Sequence, residues 1–407
     1  MKTKRVIVLG CTGSVGGNAA ELFRSAPGLF EVAGLAAGSN AERLAGLAAE
    51  FGCRAVALAD SGAAGSLSKA LPACASKVLC GPDAAARLVE ETEADAVLCA
   101  IAGMAALKPV LAALESGKDV ALASKEVVVS AGALVLETAR RRGAAVVPVD
   151  SEHSAILQAL GAAGIVPPCL RGRAGGGAGD GGAATAVEKL WLTASGGPFF
   201  FTEGFDPLKA TPSDALRHPK WKMGPKVSVD SSTMMNKGFE IIEAARLFGV
   251  PQDRIGVLVH PQSVVHSLVE FRDGAQIAQL GAPDMRLPIQ YALSWPERPA
   301  NAALPRLDLA TAGPLGFFRP DEERFPCLAL AREAERRGGL VPCAANAADE
   351  VAVARFLAGD IRWPDIARLV ETAMEAASPG PGTPGLADIL EADRAARDIA
   401  RLTSPRP

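Results

Sequence analysis

The sequence predicts an α/β chain in three parts: a parallel sheet wound with helices on both faces, a smaller α+β region with its own sheet, and a short helical bundle at the end. Three observations predict it. Residues 5–9, "RVIVL", pass directly into "GCTGSVGGNAAELFRSAP", a strand, a tight glycine turn and a helix. Strand-like and helical runs then alternate as far as Asp150, the rhythm of a parallel sheet. From residue 320 onward only helical periods remain.

Taken in order, the second strand is "EVAGLAAG" at 31–38, followed by "AVALA", "VLC" and "AVLCAIAG". "GKDVALAS" at 117–124 and "GAAVVPVD" at 143–150 add two more. These runs are apolar without strict alternation, as strands covered on both faces are. The stretch 164–187, "GIVPPCLRGRAGGGAGDGGAATAV", reads as a flexible surface loop that buries no apolar surface. It lacks the Gly-Lys-Ser/Thr of a phosphate loop. Beyond it, "VEKLWLTASGGPF" is a strand into a glycine turn, and "RIGVLVHPQSVVHSLVEFRDGAQIAQLG" holds two β-like runs joined at Asp273-Gly274, a hairpin signal. Four helices follow in "FPCLALAREAERRGG", "CAANAADEVAVARFLAG", "PDIARLVETAMEAA" and "GLADILEADRAARDIARL". Two end in glycine and one starts through Pro364. The expected divisions are 1–150, 151–290, a linker at 291–319, and 320–407, in keeping with domains of roughly 100–200 residues.

Composition excludes several functions. Forty-two basic residues stand against 45 acidic ones, so a net charge of −3 offers no general attraction to nucleic acid or an anionic membrane. No apolar run reaches the ~20 residues of a membrane span. Eight cysteines contain no Cys-x-x-Cys pair and read as small buried hydrophobes of a reducing compartment. The start, "MKTKRVIVLG", leaves no room for a signal or transit peptide, which makes a bacterial cytoplasm the expected address.

Gly10, Gly13 and Gly16 take the Gly-x-x-Gly-x-x-Gly spacing between strand and helix, where backbone N–H groups approach a pyrophosphate; the first part is therefore a Rossmann-type dinucleotide domain. The second strand ends "AAGSNAERL", with no acid for a ribose hydroxyl and with Arg43 nearby, which favours the 2′-phosphate of NADPH; the alternative is that Arg43 faces solvent. If "VVPVDSEH", residues 146–153, is a strand, Asp150 and Glu152 point to one face. A helix starting near Ser232 would put Asn236, Lys237, Glu240 and Glu243 on one polar face. Carboxylates converging without thiolates suit a hard divalent ion. The bland alternative is that Asp150 caps a helix and the glutamates are solvated. Ser195 before two glycines, His218, Ser231 at the mouth of the helix, Asn236 and Lys237 suit a phosphate. On the same loop as Lys222, Gly224 and Lys226, Trp221 either packs in the core or closes over ligand as a lid. His260 and His266 sit in apolar strand context at no zinc spacing and read as core residues.

The motifs "GCTGSVG", "ALASKE", "PVDSEHSAI", "TASGGPF", "HPKWKMGPKVSVDSSTMMNKGFEIIEA" and "HPQSVVHSLVEFRDGAQIAQLGAPDMRLPI" together resemble the 1-deoxy-D-xylulose 5-phosphate reductoisomerase family, in order from residue 5 to about residue 400. The resemblance implies a central α+β catalytic domain with a dimerisation sheet, a homodimer, and a phosphorylated sugar as substrate. The implied activity rearranges and reduces 1-deoxy-D-xylulose 5-phosphate to 2-C-methyl-D-erythritol 4-phosphate, with NADPH and Mn²⁺ or Mg²⁺, Co²⁺ also being admitted. By motif, Asp150, Glu152 and Glu240 would ligate metal, with Glu243 as a supporting acid. Lys125 and Ser151 would hold the hydroxyl region of the substrate, Ser195, His218, Ser231, Asn236 and Lys237 its phosphate, and Trp221 would close over it. Thr12, Gly13, Ser14, Val15, Gly38, Ser39, Asn40, Ser124, Glu126 and Gly224 would contact NADPH. Three departures stand out: Ser124 replaces an asparagine, Ser154 another, and Ser39 a residue that is often basic. Two other classes share the N-terminal fold. A metal-independent NADPH reductase of the semialdehyde or dihydrodipicolinate type would not require the acidic helix face, and a dinucleotide-sensing regulator would not require Lys125, Asp150, Glu152 and Glu240.

Overall fold

The apolar runs of the first 150 residues pair in parallel into a seven-stranded sheet, ordered β4-β3-β2-β1-β5-β6-β7. The strands are β1 Lys4–Leu9, β2 Phe30–Ala37, β3 Ala55–Leu58, β4 Lys77–Cys80, β5 Ala96–Cys99, β6 Asp119–Leu122 and β7 Val146–Pro148. Every residue of β3, β5 and β6 is buried, which is why they alternate so little. The computed structural model describes residues 3–71, 73, 75–173, 186–218, 223–380 and 382–404. The strand order reverses between β1 and β5, and at such a switch point a crevice opens beyond the carboxyl ends of the strands. Two glycines shape the turn there. Gly10 has φ +80°, and a Cβ on Gly16 would lie 2.4 Å from the Gly10 carbonyl oxygen, so the helix Ser14–Ser25 can sit tightly on β1.

A second sheet, ordered β11-β10-β8-β9, is built from β8 Val187–Ala194, β9 Ile255–Val259, β10 Val265–Phe271 and β11 Gln276–Leu280. Residues 255–280 thus form three strands where two were expected. The predicted hairpin joins β10 to β11, with Gly274 at φ +87°. The 164–187 stretch needs a second correction: Cys169 and Leu170 are buried, because the chain dips back to the core before the glycine run. Residues 174–185 of that run, like Trp221 and Lys222, lie outside the described residues.

The C-terminal helices are Pro326–Arg337, Val341–Ala358, Asp365–Ala376 and Leu386–Leu402. Gly338 and Gly359 end the first two and Pro364 precedes the third, as the sequence indicated. The helix Val341–Ala358 is buried on nearly all sides, packed by its neighbours in the bundle and by the helix Lys125–Arg142. Among the described cysteines, all but Cys80 are buried.

Candidate active site

Three strand ends deliver the first site residues. β1 leads to Ser14 and Val15, β6 to Lys125 at the start of the helix Lys125–Arg142, and β7 to Asp150. The strand reading of "VVPVDSEH", residues 146–153, holds only as far as Pro148: there the ladder ends and a helix runs Ser151–Ala162, with Asp150 at its N-cap position but making no side-chain cap. Asp150 thus stands just before the helix and Glu152 in its first turn. The helix expected from Ser232 is two helices, Pro225–Thr233 and Met235–Phe248, separated by Met234 at φ +62°. Ser231 accordingly lies in the last turn of the first helix, not at the mouth of the second, and Lys226 is helical.

These elements enclose a cavity of about 470 Å³. Lining it are Ser14 and Val15, then Lys125, Asp150, Ser151 and Glu152, then Ser195, His218, Gly224, Ser231, Asn236, Lys237 and Glu240. Thr12, Gly13, Gly38, Ser39, Asn40, Ser124 and Glu126 stand outside its lining. Gly38, Ser39 and Asn40 follow the end of β2, where Asn40 caps the helix Ala41–Phe51 by accepting from Arg43 N at 3.0 Å. Ser124 is buried and donates its hydroxyl to the Ile101 carbonyl at 2.5 Å, across the gap between β5 and β6.

The charged centre is a lattice of three carboxylates and two ammonium groups. Lys125 Nζ donates to Glu240 Oε1 and Asn236 Oδ1, each at 3.0 Å, and pairs with Asp150. Lys237 Nζ lies 2.8 Å from Glu152 Oε1 and also pairs with Glu240. Asn236 Nδ2 donates to Glu240 Oε1 at 2.6 Å, and Ser151 Oγ to Glu152 Oε2 at 2.5 Å. Burial opposes ionisation of Asp150, yet Lys125 outweighs it and holds the carboxyl below its ordinary range. Glu152 goes the other way: burial and the nearby Glu240 push it up to about 8. A divalent cation among Asp150, Glu152 and Glu240 would meet three carboxyl groups, the hard oxygen donors it prefers, and would favour the ionised form of Glu152.

Asp150, Glu240 and His153 bring one donor atom each within 4.8 Å of one another. His153, however, is fully buried and outside the cavity, with Nε2 held at 3.0 Å by the Glu240 carbonyl. That bond makes Nε2 the protonated nitrogen and leaves Nδ1 facing Glu243 Oε2 at 3.5 Å. Glu243 is pushed well up by burial and by Asp150, and it lies behind Glu240, off the face it was expected to share. His153 and Glu243 therefore back the site.

At the other end, Ser195 Oγ and His218 Nε2 are 2.8 Å apart and Gly197 N–H donates to Ser195 Oγ at 3.3 Å. The positive φ of Gly196 and Gly197 folds this turn against Ser231. Hydroxyls, a backbone N–H and Lys237 there suit a dianion. His260 is the satisfied core histidine expected, its Nδ1 at 2.8 Å from the Gly316 carbonyl oxygen. His266 lines the cavity, which its apolar strand context did not reveal.

Three sequence models divide the chain between them. One described as 1-deoxy-D-xylulose 5-phosphate reductoisomerase matches residues 6–132, one described as the C-terminal domain of that enzyme matches 146–248, and one described as DXP reductoisomerase C-terminal domain matches 280–399. The 1-deoxy-D-xylulose 5-phosphate reductoisomerase of Symbiobacterium thermophilum is 48% identical, with 98% of each chain covered. That of Moorella thermoacetica is 47% identical over 97% of this chain and 96% of its own. Among solved structures, a DOX-P reductoisomerase in complex with NADPH, fosmidomycin and magnesium superposes with a TM-score of 0.88 at 38% identity, covering 98% of this chain and 97% of the other. The Zymomonas mobilis enzyme in complex with NADPH gives 0.85 at 39%, covering 98% of both.

Proposed function

The chain belongs to the 1-deoxy-D-xylulose 5-phosphate reductoisomerase family, and from that premise we propose how its own residues divide the work. It converts 1-deoxy-D-xylulose 5-phosphate to 2-C-methyl-D-erythritol 4-phosphate, a step of the non-mevalonate isoprenoid route, with NADPH and a divalent metal. The observation that carries the assignment of roles is the meeting, in one cavity, of the glycine turn at Ser14, the three carboxylates and the hydroxyl-lined end at Ser195.

Asp150, Glu152 and Glu240 hold the metal, which when bound polarises neighbouring substrate oxygens, while NADPH supplies the hydride. Lys125, between Asp150 and Glu240, steers a substrate hydroxyl with Ser151 and meets negative charge that develops on it. Ser195, His218, Ser231, Asn236 and Lys237 hold the phosphate and so fix the carbon skeleton against the carboxylates. Ser14, Val15 and Gly224 form the cofactor side of the cavity, with Thr12, Gly13, Gly38, Ser39 and Asn40 carrying the rest of the dinucleotide along the strand ends. Ser124 and Glu126 support that side from within. The test is loss of NADPH absorbance with 1-deoxy-D-xylulose 5-phosphate and Mg²⁺, with and without a chelator. Oxidation that stops on chelation and returns with metal is expected; oxidation indifferent to the chelator would remove the carboxylates from their role.

For assembly we propose a homodimer working in the cytoplasm without nucleic acid. β11 is an outer strand of the second sheet and Ile277 stands 37% exposed there, a surface a second copy would cover. No helix among the described residues is long and apolar enough to cross a membrane. Light scattering should give twice the 41.7 kDa of the chain, and a monomer mass would refute the dimer.

A further inference from the structure

The helix Pro225–Thr233 carries Ser231 into the cavity, yet what seats it comes from the C-terminal bundle, from the helix Val341–Ala358 and the turn before Asp365–Ala376. In its first turn, Lys226 Nζ lies 2.5 Å from Asp230 Oδ2 and 3.0 Å from Asp349 Oδ2. Asp349 belongs to the helix Val341–Ala358 and is fully buried, and neither of its carboxylate oxygens has a hydrogen-bond partner among the described residues. Lys226 is the cation paired with it. At the far end, the Trp363 indole N–H donates to Ser232 Oγ at 2.9 Å, inside the core. Trp363 also meets Phe199 edge-on at 5.9 Å, and Phe199 follows directly on the turn that presents Ser195 and Gly197. Between the two contacts sits Ser231, whose carbonyl oxygen comes so close to that turn that a Cβ on Gly197 would be 2.5 Å from it.

We propose that Asp349 and Trp363 are positioning residues of the active site: they clamp the helix Pro225–Thr233 at both ends and so set Ser231 and the Ser195–Gly197 turn at the spacing that grips the substrate's phosphate. This rests on the assignment of the phosphate to Ser195, Ser231 and Asn236. A buried charge left without its partner is costly, so the Lys226–Asp349 pair admits one seating of the helix. The indole bond fixes the other end, because a buried hydroxyl keeps its partner. The phosphate does not react. Loosening its grip therefore removes binding that substrate and transition state share, which raises KM and leaves kcat in place.

The experiment compares Asp349→Asn, Trp363→Phe and Ser232→Ala with the parent enzyme and with Ser231→Ala. It measures kcat, KM for 1-deoxy-D-xylulose 5-phosphate, inhibition by inorganic phosphate, and NADPH affinity by fluorescence. In each clamp variant KM and the phosphate inhibition constant should rise together, by about three- to ten-fold, with kcat within about two-fold and NADPH affinity unchanged. Ser232→Ala and Trp363→Phe break one contact from its two sides, so the double variant should be no worse than either alone. If Asp349→Asn does not fold, that pair decides. Clamp variants that keep the parent KM and lose activity only with their folded fraction, beside a raised KM in Ser231→Ala, would overturn the clamp. An unchanged KM in Ser231→Ala as well would overturn the phosphate assignment and the clamp with it.

Discussion

Glu240 is fully buried and accepts from Asn236, Lys125 and Lys237 at once, so a single carboxylate ties the hydroxyl end of the cavity to the phosphate end. Glu240→Gln keeps its volume and removes its charge, leaving two lysines with one carboxylate fewer between them. We expect kcat to fall about 10²-fold or more, the scale of losing one placed electrostatic group, with NADPH affinity nearly intact. A metal titration under steady-state conditions checks it. Full activity recovered at high Mg²⁺ would mean a weakened ligand, whereas an equal loss of NADPH affinity would mean a collapsed pocket. The acids of this centre were legible in the sequence because carboxylates so seldom cluster in an apolar chain without a reason. His153 and His266 were not: a histidine in apolar company looks the same whether it faces the core, backs a ligand or reaches a cavity.

Among the elements, the parallel sheet could be read from apolar runs and glycine turns, since strands such as β3, β5 and β6 are buried along their whole length and local pattern decides them. Two places could not. At 148–152 a strand signal continues past Pro148, and only the missing donor of the proline and the acid in the next turn mark the change to helix. At Met234 one residue in the left-handed region splits two helices, and periodicity does not register a single dihedral. That break lets Ser231 and Asn236 face the same cavity from differently directed helices. The turn opposite them is equally constrained: Gly197 has φ +63° and no room for a Cβ against Ser231. Gly197→Ala should lose about 1–3 kcal/mol of stability and raise KM for the phosphorylated substrate, read by urea unfolding and steady-state kinetics. An alanine variant matching the parent in both would show that turn and helix do not need to touch.

For the whole molecule, the sheets and the C-terminal helices meet around titrating groups that burial has displaced, so local proton affinity becomes global stability. His266 is 8% exposed; burial, opposed by its backbone hydrogen bonds and aided by the neighbouring His260 and Lys237, lowers it to about 4 from the ordinary 6.5. An unfolded chain takes up that proton as pH falls below 6.5, while the folded chain refuses it until about pH 4. The contribution to stability is therefore complete above pH 6.5, drains away between 6.5 and 4, and changes no further below, amounting to on the order of 3 kcal/mol. His153, also lowered by burial, adds a slope of the same sign. Glu152 and Glu243, whose carboxyls are raised, act in the opposite sense in both proteins, so urea unfolding at a series of pH values should be read as a difference: the stability of the parent relative to His266→Gln should fall between pH 6.5 and 4 and stay constant above 6.5. Equal slopes between pH 4 and 6.5 would mean that His266 is hydrated and titrates near its ordinary value in the folded chain. The cavity would then be open to water along β10, and the hydroxyl-lined end would bind its anion in competition with solvent, not shielded from it.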